Sequence, residues 1–146
     1  MAQNDRRRSF ANGRLGDGCL DELPAGLATA PGAEAVRLID VLWLDRTEGR
    51  VAAAFEVEHT TSIYSGIVRL LDLALGSPHD ATRGLFLVAP DDREAEVRAQ
   101  LGRPAFSRVA DLGVRYLPYG ELERHREAMA RFGAGLKAVE AVARKL

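Results

Sequence analysis

Residues 36–75 decide the fold: VRLIDVLWL (36–44), DRTEGR (45–50), VAAAFEVEHTTS (51–62) and IYSGIVRLLDLAL (63–75). The first run is nearly all apolar and rich in branched and aromatic side chains, which predicts a strand covered on both faces. Asp45 to Arg50 supply a turn, with Gly49 able to take a positive φ. In the next run a period of two puts Ala52, Ala54, Glu56 and Glu58 on one face and Val51, Ala53, Phe55 and Val57 on the other. Leu38, Asp40, Leu42 and Leu44 likewise share a face of the first strand. His59-Thr60-Thr61-Ser62 break the second strand and offer N-caps for a helix over residues 63–75. Its buried stripe is Ile63, Ile67, Leu70, Leu71 and Ala74, and Gly76-Ser77-Pro78 end it.

The same stretch places three carboxylates, Asp40, Glu56 and Glu58, among apolar residues. A buried charge costs several kcal/mol unless it is paired or bound to a cation. Two readings follow. The acids form a divalent-metal site, or Glu58 is solvated at the strand end while Asp40 pairs with Arg37 or Arg69.

Composition bounds the rest. The chain has 146 residues, 47% hydrophobic and 28% charged, with a formal net charge of −1. That is one ordinary globular domain with enough apolar material for a core. The balance gives no global pull toward nucleic acid. No run approaches the roughly 18–20 apolar residues of a membrane span, and residues 1–9 are polar and basic rather than a signal sequence. The single Cys19 rules out an internal disulfide and suits a reducing cytoplasm. Of 20 basic residues only Lys137 and Lys145 are lysines. This bias fits either bidentate phosphate recognition or coding preference, in keeping with the heavy Ala and Gly usage.

Residues 1–32 lack a sustained period and read as a mostly irregular arm, with turns at Asn12-Gly13, Gly16 and Gly18. Phe10, Leu15 and Leu20 are its candidate anchors, and residues 19–27 offer one helical turn ended by Pro24. The Arg6-Arg7-Arg8 run reads as a solvated terminus or as a phosphate contact. Beyond the central stretch, GLFLVA (84–89) predicts a short buried strand, residues 93–101 a helix with acids at its start, and VRYLP (114–118) a last strand. Residues from Gly120 onward are helical, with an interruption at residues 133–135. The order β-β-α-β-α-β-α implies an α/β fold, a mixed sheet flanked by helices.

With the elements in place, the pattern Asp40, a fifteen-residue gap, then Glu56-Val57-Glu58 at a strand end before a helix resembles the PD-(D/E)xK restriction-endonuclease-like superfamily. The strings FEVEHTTSIYSG, LFLVAPDDR and RPAFSR resemble a bacterial restriction-endonuclease-like domain often found at the C-terminal end of longer proteins. The resemblance covers residues 3–123. QNDRRRS is similar to a family segment that normally follows a strand, so the chain is expected to be a fragment or a domain lacking that edge. The family implies Mg²⁺, replaceable by Mn²⁺, held by Asp40, Glu56 and the Val57 carbonyl. It implies hydrolysis of DNA phosphodiesters, in a restriction or DNA-defence setting. Glu58 stands where the family usually has Lys; it would serve as a general base or as a ligand to a second metal. Three acids without that Lys predict at least one raised pKa in the metal-free site.

Other residues carry two readings each. Arg69 is a displaced positive charge near the scissile phosphate, or the partner of Asp72 or of a site acid. His59, Thr61, Ser62, Tyr64 and Ser65 are candidate DNA contacts, the hydroxyls from a helix start; against this, His59 reads as a polar loop cap and Tyr64 as partly buried. Gly66 allows close helix–strand approach, and Trp43 is expected in the core. Cys19, His79 and His125 suggest no nucleophilic triad. A homodimer cutting both strands could use Ala138, Val139, Val142 and Ala143. The rival functions are an inactive nuclease-fold module that binds DNA or a protein, and a regulatory domain with no nucleic-acid role.

Overall fold

The structure, a computed structural model, describes residues 5–47, 49–76, 82, 84–107, 110–132 and 135–146. Four strands form one mixed sheet in the order β3-β4-β5-β6: Val41–Leu44, Val51–Val57, Gly84–Ala89 and Val114–Pro118. β3 and β4 are antiparallel, while β4, β5 and β6 run parallel. A parallel pair needs a crossover. α3 (Ile63–Gly76) supplies it between β4 and β5, and α4 (Glu94–Leu101) with α5 (Pro104–Ser107) supplies it between β5 and β6. The sequence called for no helix at α5.

The two-residue period of β4 holds from Ala53 to Glu58, but an irregularity in the pairing with β3 turns Val51 to the face opposite Phe55, where it packs with Ala54 and Leu70. Ala53 and Phe55 join Phe86, Val88, Leu117 and Val139 in a core layer under α6 (Tyr119–Phe132) and α7 (Leu136–Val142). The opposite face carries Ala54 and Glu56 toward α3, beside clusters built from Leu70, Leu73, Leu85, Ile63, Ile67, Leu87 and Tyr116. The sheet is thus covered on both faces. Gly49 has the expected positive φ, 65°.

The largest departure lies at residues 33–44. Residues 33–36 are a helical turn, α2 (Ala33–Val36), entered through Gly32 at φ 79°, and the strand begins only at Val41. Val36 and Ile39, three residues apart, are both buried, whereas Leu38 is 63% exposed. Helical spacing therefore governs a run whose continuous apolarity imitates a buried strand. β3 lies at one edge of the sheet and its residues are half-buried or exposed, so it is not covered on both faces. Trp43 packs on Phe55 with ring centroids 4.8 Å apart yet stays 40% exposed, not in the core.

The arm also differs from an irregular segment. Ser9–Phe10 (β1) and Gly13–Arg14 (β2) form a small hairpin around Ala11-Asn12. Pro24 precedes α1 (Ala25–Ala28) and caps its start rather than ending a turn, as its fixed φ and missing N–H favour. Phe10 and Leu20 are exposed and anchor nothing. Leu23 and Leu27 pack on the core instead. Arg6 binds Asp21, and Arg8 binds Asp5.

The C-terminal helix is two helices. Val139 is buried, and the half-buried Val142 and Ala143 pack on the same cluster, so the chain's own core takes up much of the apolar face expected for a dimer. His79, Ser77, Pro78 and residues 133–134 lie outside the described residues. Among the described residues, no helix is long and apolar enough to cross a membrane.

Candidate functional site

The C-terminal end of β4 gathers the three acids. Glu56 and Glu58 point to the α3 side, as the strand period demands, and both are buried, at 0% and 2% exposure. The solvated reading of Glu58 is thereby excluded. Asp40 sits just before β3, and its Oδ2 accepts the Val57 N–H at 2.7 Å. That bond docks the start of the edge strand on the end of β4. It pairs Asp40 with backbone, not with Arg37 or Arg69.

Arg69 comes from α3, two turns into the helix, and its guanidinium lies between the glutamates. Nε donates to Glu56 Oε1 at 2.9 Å, and Nη2 donates to Glu56 Oε2 at 2.5 Å and to Glu58 Oε1 at 3.1 Å. Of the two readings of Arg69, the ion pair with the site acids is the one observed. Thr61 Oγ1 donates to Glu58 Oε2. The Gly66 position explains why the helix can come so close: a Cβ there would lie 2.6 Å from Glu58 Oε1 and 3.1 Å from Leu87 Cδ1.

Charge does not balance. One guanidinium faces three carboxylates, and desolvation of Glu56 outweighs the pull of Arg69 on its proton. Burial pushes the Glu56 carboxyl up to about 7, with Asp40 and Glu58 adding to the rise. The raised pKa expected of a site lacking Lys is therefore present. Hydrogen bonding to Glu56 raises the pKa of Arg69, which stays charged.

A cavity of about 440 Å³ opens beside this group, lined by Asp40, Val57, Glu58, Thr61, Ser62, Ser65 and Arg69. Glu56 lies behind it, with both oxygens on Arg69. Among the described residues no three carboxylate, imidazole or thiol groups converge closely enough to hold a cation by side chains alone. Mg²⁺, however, keeps several waters and commonly uses one or two carboxylates. Asp40 and Glu58, with backbone oxygen at Val57, fit that demand, and the excess negative charge fits a divalent ion.

Around the mouth, Ser62 caps α3, its Oγ 3.4 Å from the Ser65 N–H. Thr61 and Ser62 are exposed and Ser65 is half-buried. His59 is exposed and stacks on Tyr119 at 5.8 Å. Tyr64 is 43% exposed, tilted against Phe106 and covered by the Arg103 guanidinium at 5.1 Å. Sequence reasoning missed Arg93, whose side chain reaches the backbone of residues 58, 59 and 61. A cation in the first turn of a helix opposes the helix dipole, and that misfit was the available signal.

A four-stranded mixed sheet covered by helices on both faces is consistent with a restriction-endonuclease-like fold. The family described as the type II restriction enzyme NmeDI C-terminal domain matches residues 1–141, and the chain belongs to that family. Type II restriction enzyme NmeDI of Neisseria meningitidis serogroup C is 29% identical over 128 residues, which are 84% of this chain and 35% of that enzyme. The chain thus spans about a third of the length of the relative it matches. No solved structure matches it.

Proposed function

We propose that the chain is a metal-dependent deoxyribonuclease domain acting in restriction or DNA defence, a PD-(D/E)xK-type site whose third position is Glu58. The observation that supports this best is the uncompensated charge of Asp40, Glu56 and Glu58 around a single arginine, beside a cavity open to solvent. Mg²⁺ or Mn²⁺ would be held by Asp40, Glu58 and the Val57 carbonyl, with Glu56 joining when Arg69 releases it. When bound, the cation lowers the pKa of a coordinated water and offsets charge developing on the phosphate. Arg69 supplies the fixed positive charge that Lys supplies elsewhere. Alternatively Glu58, which accepts from Thr61, would serve as the base for the attacking water rather than as a ligand. Ser62, Ser65 and the exposed His59, Thr61 and Tyr64 contact the DNA backbone at the mouth. Cutting both strands calls for two copies, joined by a surface other than the largely covered α7 face.

One observation favours a second reading. Arg69 engages both oxygens of Glu56 and one of Glu58, a closed arrangement suited to a DNA- or protein-binding module without catalysis. Supercoiled plasmid incubated with the protein and Mg²⁺ or Mn²⁺ separates the two. Nicking or linearisation by wild type, reduced at least about 100-fold in Glu56→Ala, is expected. Intact plasmid in both metals, with DNA retention that weakens with salt, would instead support the binding module.

A further inference from the structure

β4 ends where its sheet bonds end. The Glu58 N–H still donates to the Val88 carbonyl at 2.8 Å, but the backbone then turns away from the ladder toward α3. The Glu58 carbonyl is partly shielded, where an unpaired backbone acceptor is costly, while the carbonyls of the exposed His59 and Thr61 could turn to water or to a side chain. All three are met by one side chain, 32 to 35 residues further along. Arg93 Nη1 donates to the Glu58 carbonyl at 2.8 Å and to the His59 carbonyl at 3.2 Å, and Nη2 donates to the Thr61 carbonyl at 3.0 Å. The remaining donors go to Glu96: Nε to Oε2 and Nη2 to Oε1, each at 3.0 Å.

A guanidinium has five N–H groups, and these five bonds use all of them. Arg93 therefore has no donor left for a phosphate, although it stands near the site and is positively charged. Its position is also unfavourable locally, since it precedes α4 directly, where the helix dipole repels a cation. The three carbonyls and Glu96 offset that cost.

We propose that Arg93 is a positioning residue. It sets the course of the loop at 58–61, so that the Glu58 carboxylate meets Thr61 Oγ1 and Arg69 at the cavity wall. Its role in turnover rests on the nuclease reading; its hold on the loop does not. Lysine keeps the charge but gathers its donors on one nitrogen, which cannot span three carbonyls and a carboxylate.

The test compares wild type, Arg93→Lys and, as a control on the exposed side of α4, Arg98→Ala. Cleavage of a plasmid with Mg²⁺ is followed alongside hydrogen exchange of the bonded amides at the two ends of the loop, Glu58 and Ser65. Arg93→Lys is expected to lower kcat by about 10- to 100-fold, the usual effect of removing an orienting partner. KM for DNA should be unchanged, because no donor of Arg93 is available to DNA. Exchange at Glu58 and Ser65 should rise about 10-fold with the global unfolding transition in place, and Arg98→Ala should match wild type in both. Undiminished kcat in Arg93→Lys overturns the proposal, as does a loss carried by KM, which would make Arg93 a DNA contact. If wild type does not cleave, the nuclease reading falls by itself, and exchange decides: acceleration confined to the loop sustains the positioning role, and unchanged exchange overturns it.

Discussion

Glu56 is the residue at which opposing effects are most evenly matched. Burial disfavours its charged form, while two hydrogen bonds from Arg69 favour it, and burial prevails. Its carboxyl, at about 7 in the folded protein against 4.5 as reference, binds a proton more readily folded than unfolded. Its contribution to stability is therefore fully present below about pH 4.5 and is lost as pH rises through about 7. In metal-free protein, denaturant unfolding from pH 4.5 to 7.5 should show this group's share as a decline on the order of 3 kcal/mol. Glu56→Gln should flatten that part of the profile. Parallel wild-type and Gln profiles would mean that Glu56 titrates normally. The sequence made the conflict visible, because acids alternating on an apolar strand need a cause. It left Arg69 undecided, because a helix position fixes a direction but not which of several acids lies within reach. Arg93 offered only the misfit of a cation at a helix start, because its partners in the loop are backbone carbonyls, which carry no residue-type signal.

At the level of elements, the contact of α3 with β4 governs the site. Gly66 lies in the middle of a helix, where alanine is intrinsically better by about 1 kcal/mol. Here the added Cβ would press on Glu58 Oε1 and Leu87 Cδ1, and Glu58 is held by Thr61 and Arg69. Overpacking of this kind costs about 1–3 kcal/mol, enough to cancel or exceed the gain. Gly66→Ala should thus lower the midpoint of thermal unfolding; a raised midpoint would show that Glu58 can yield freely. β4, β5, β6 and α3 were all legible, since each shows one clear period or a short buried run. Residues 36–44 were not. There Val36 and Ile39 face the core from a helical turn, and the intervening exposed Leu38 fills the gap that would have revealed it. Trp43 misled for a related reason, since hydrophobic content does not tell an edge strand from a central one.

For the whole molecule, the crossover helices bring a strand end, an edge strand and a helix start to one place, so residues from 40 to 96 build one site. The order of elements was readable from pattern alone, because a parallel pair forces a helix between its strands. The packing of α7 was not, since small apolar residues on a terminal helix serve a core or a partner equally well. The relative this chain resembles is about two and a half times as long, the match being 35% of it, so a test of this chain's own site is best read on cation binding. In the proposed site the cation would be held by Asp40, Val57 and Glu58, with Glu56 behind them. The most direct test is therefore calorimetric titration of Mn²⁺ into wild type, Asp40→Ala and Glu58→Gln at neutral pH. Saturable binding of one or two ions to wild type, abolished in Asp40→Ala and weakened in Glu58→Gln, is the expected result. No saturable heat with wild type, or binding that survives Asp40→Ala unchanged, would contradict the metal-site account.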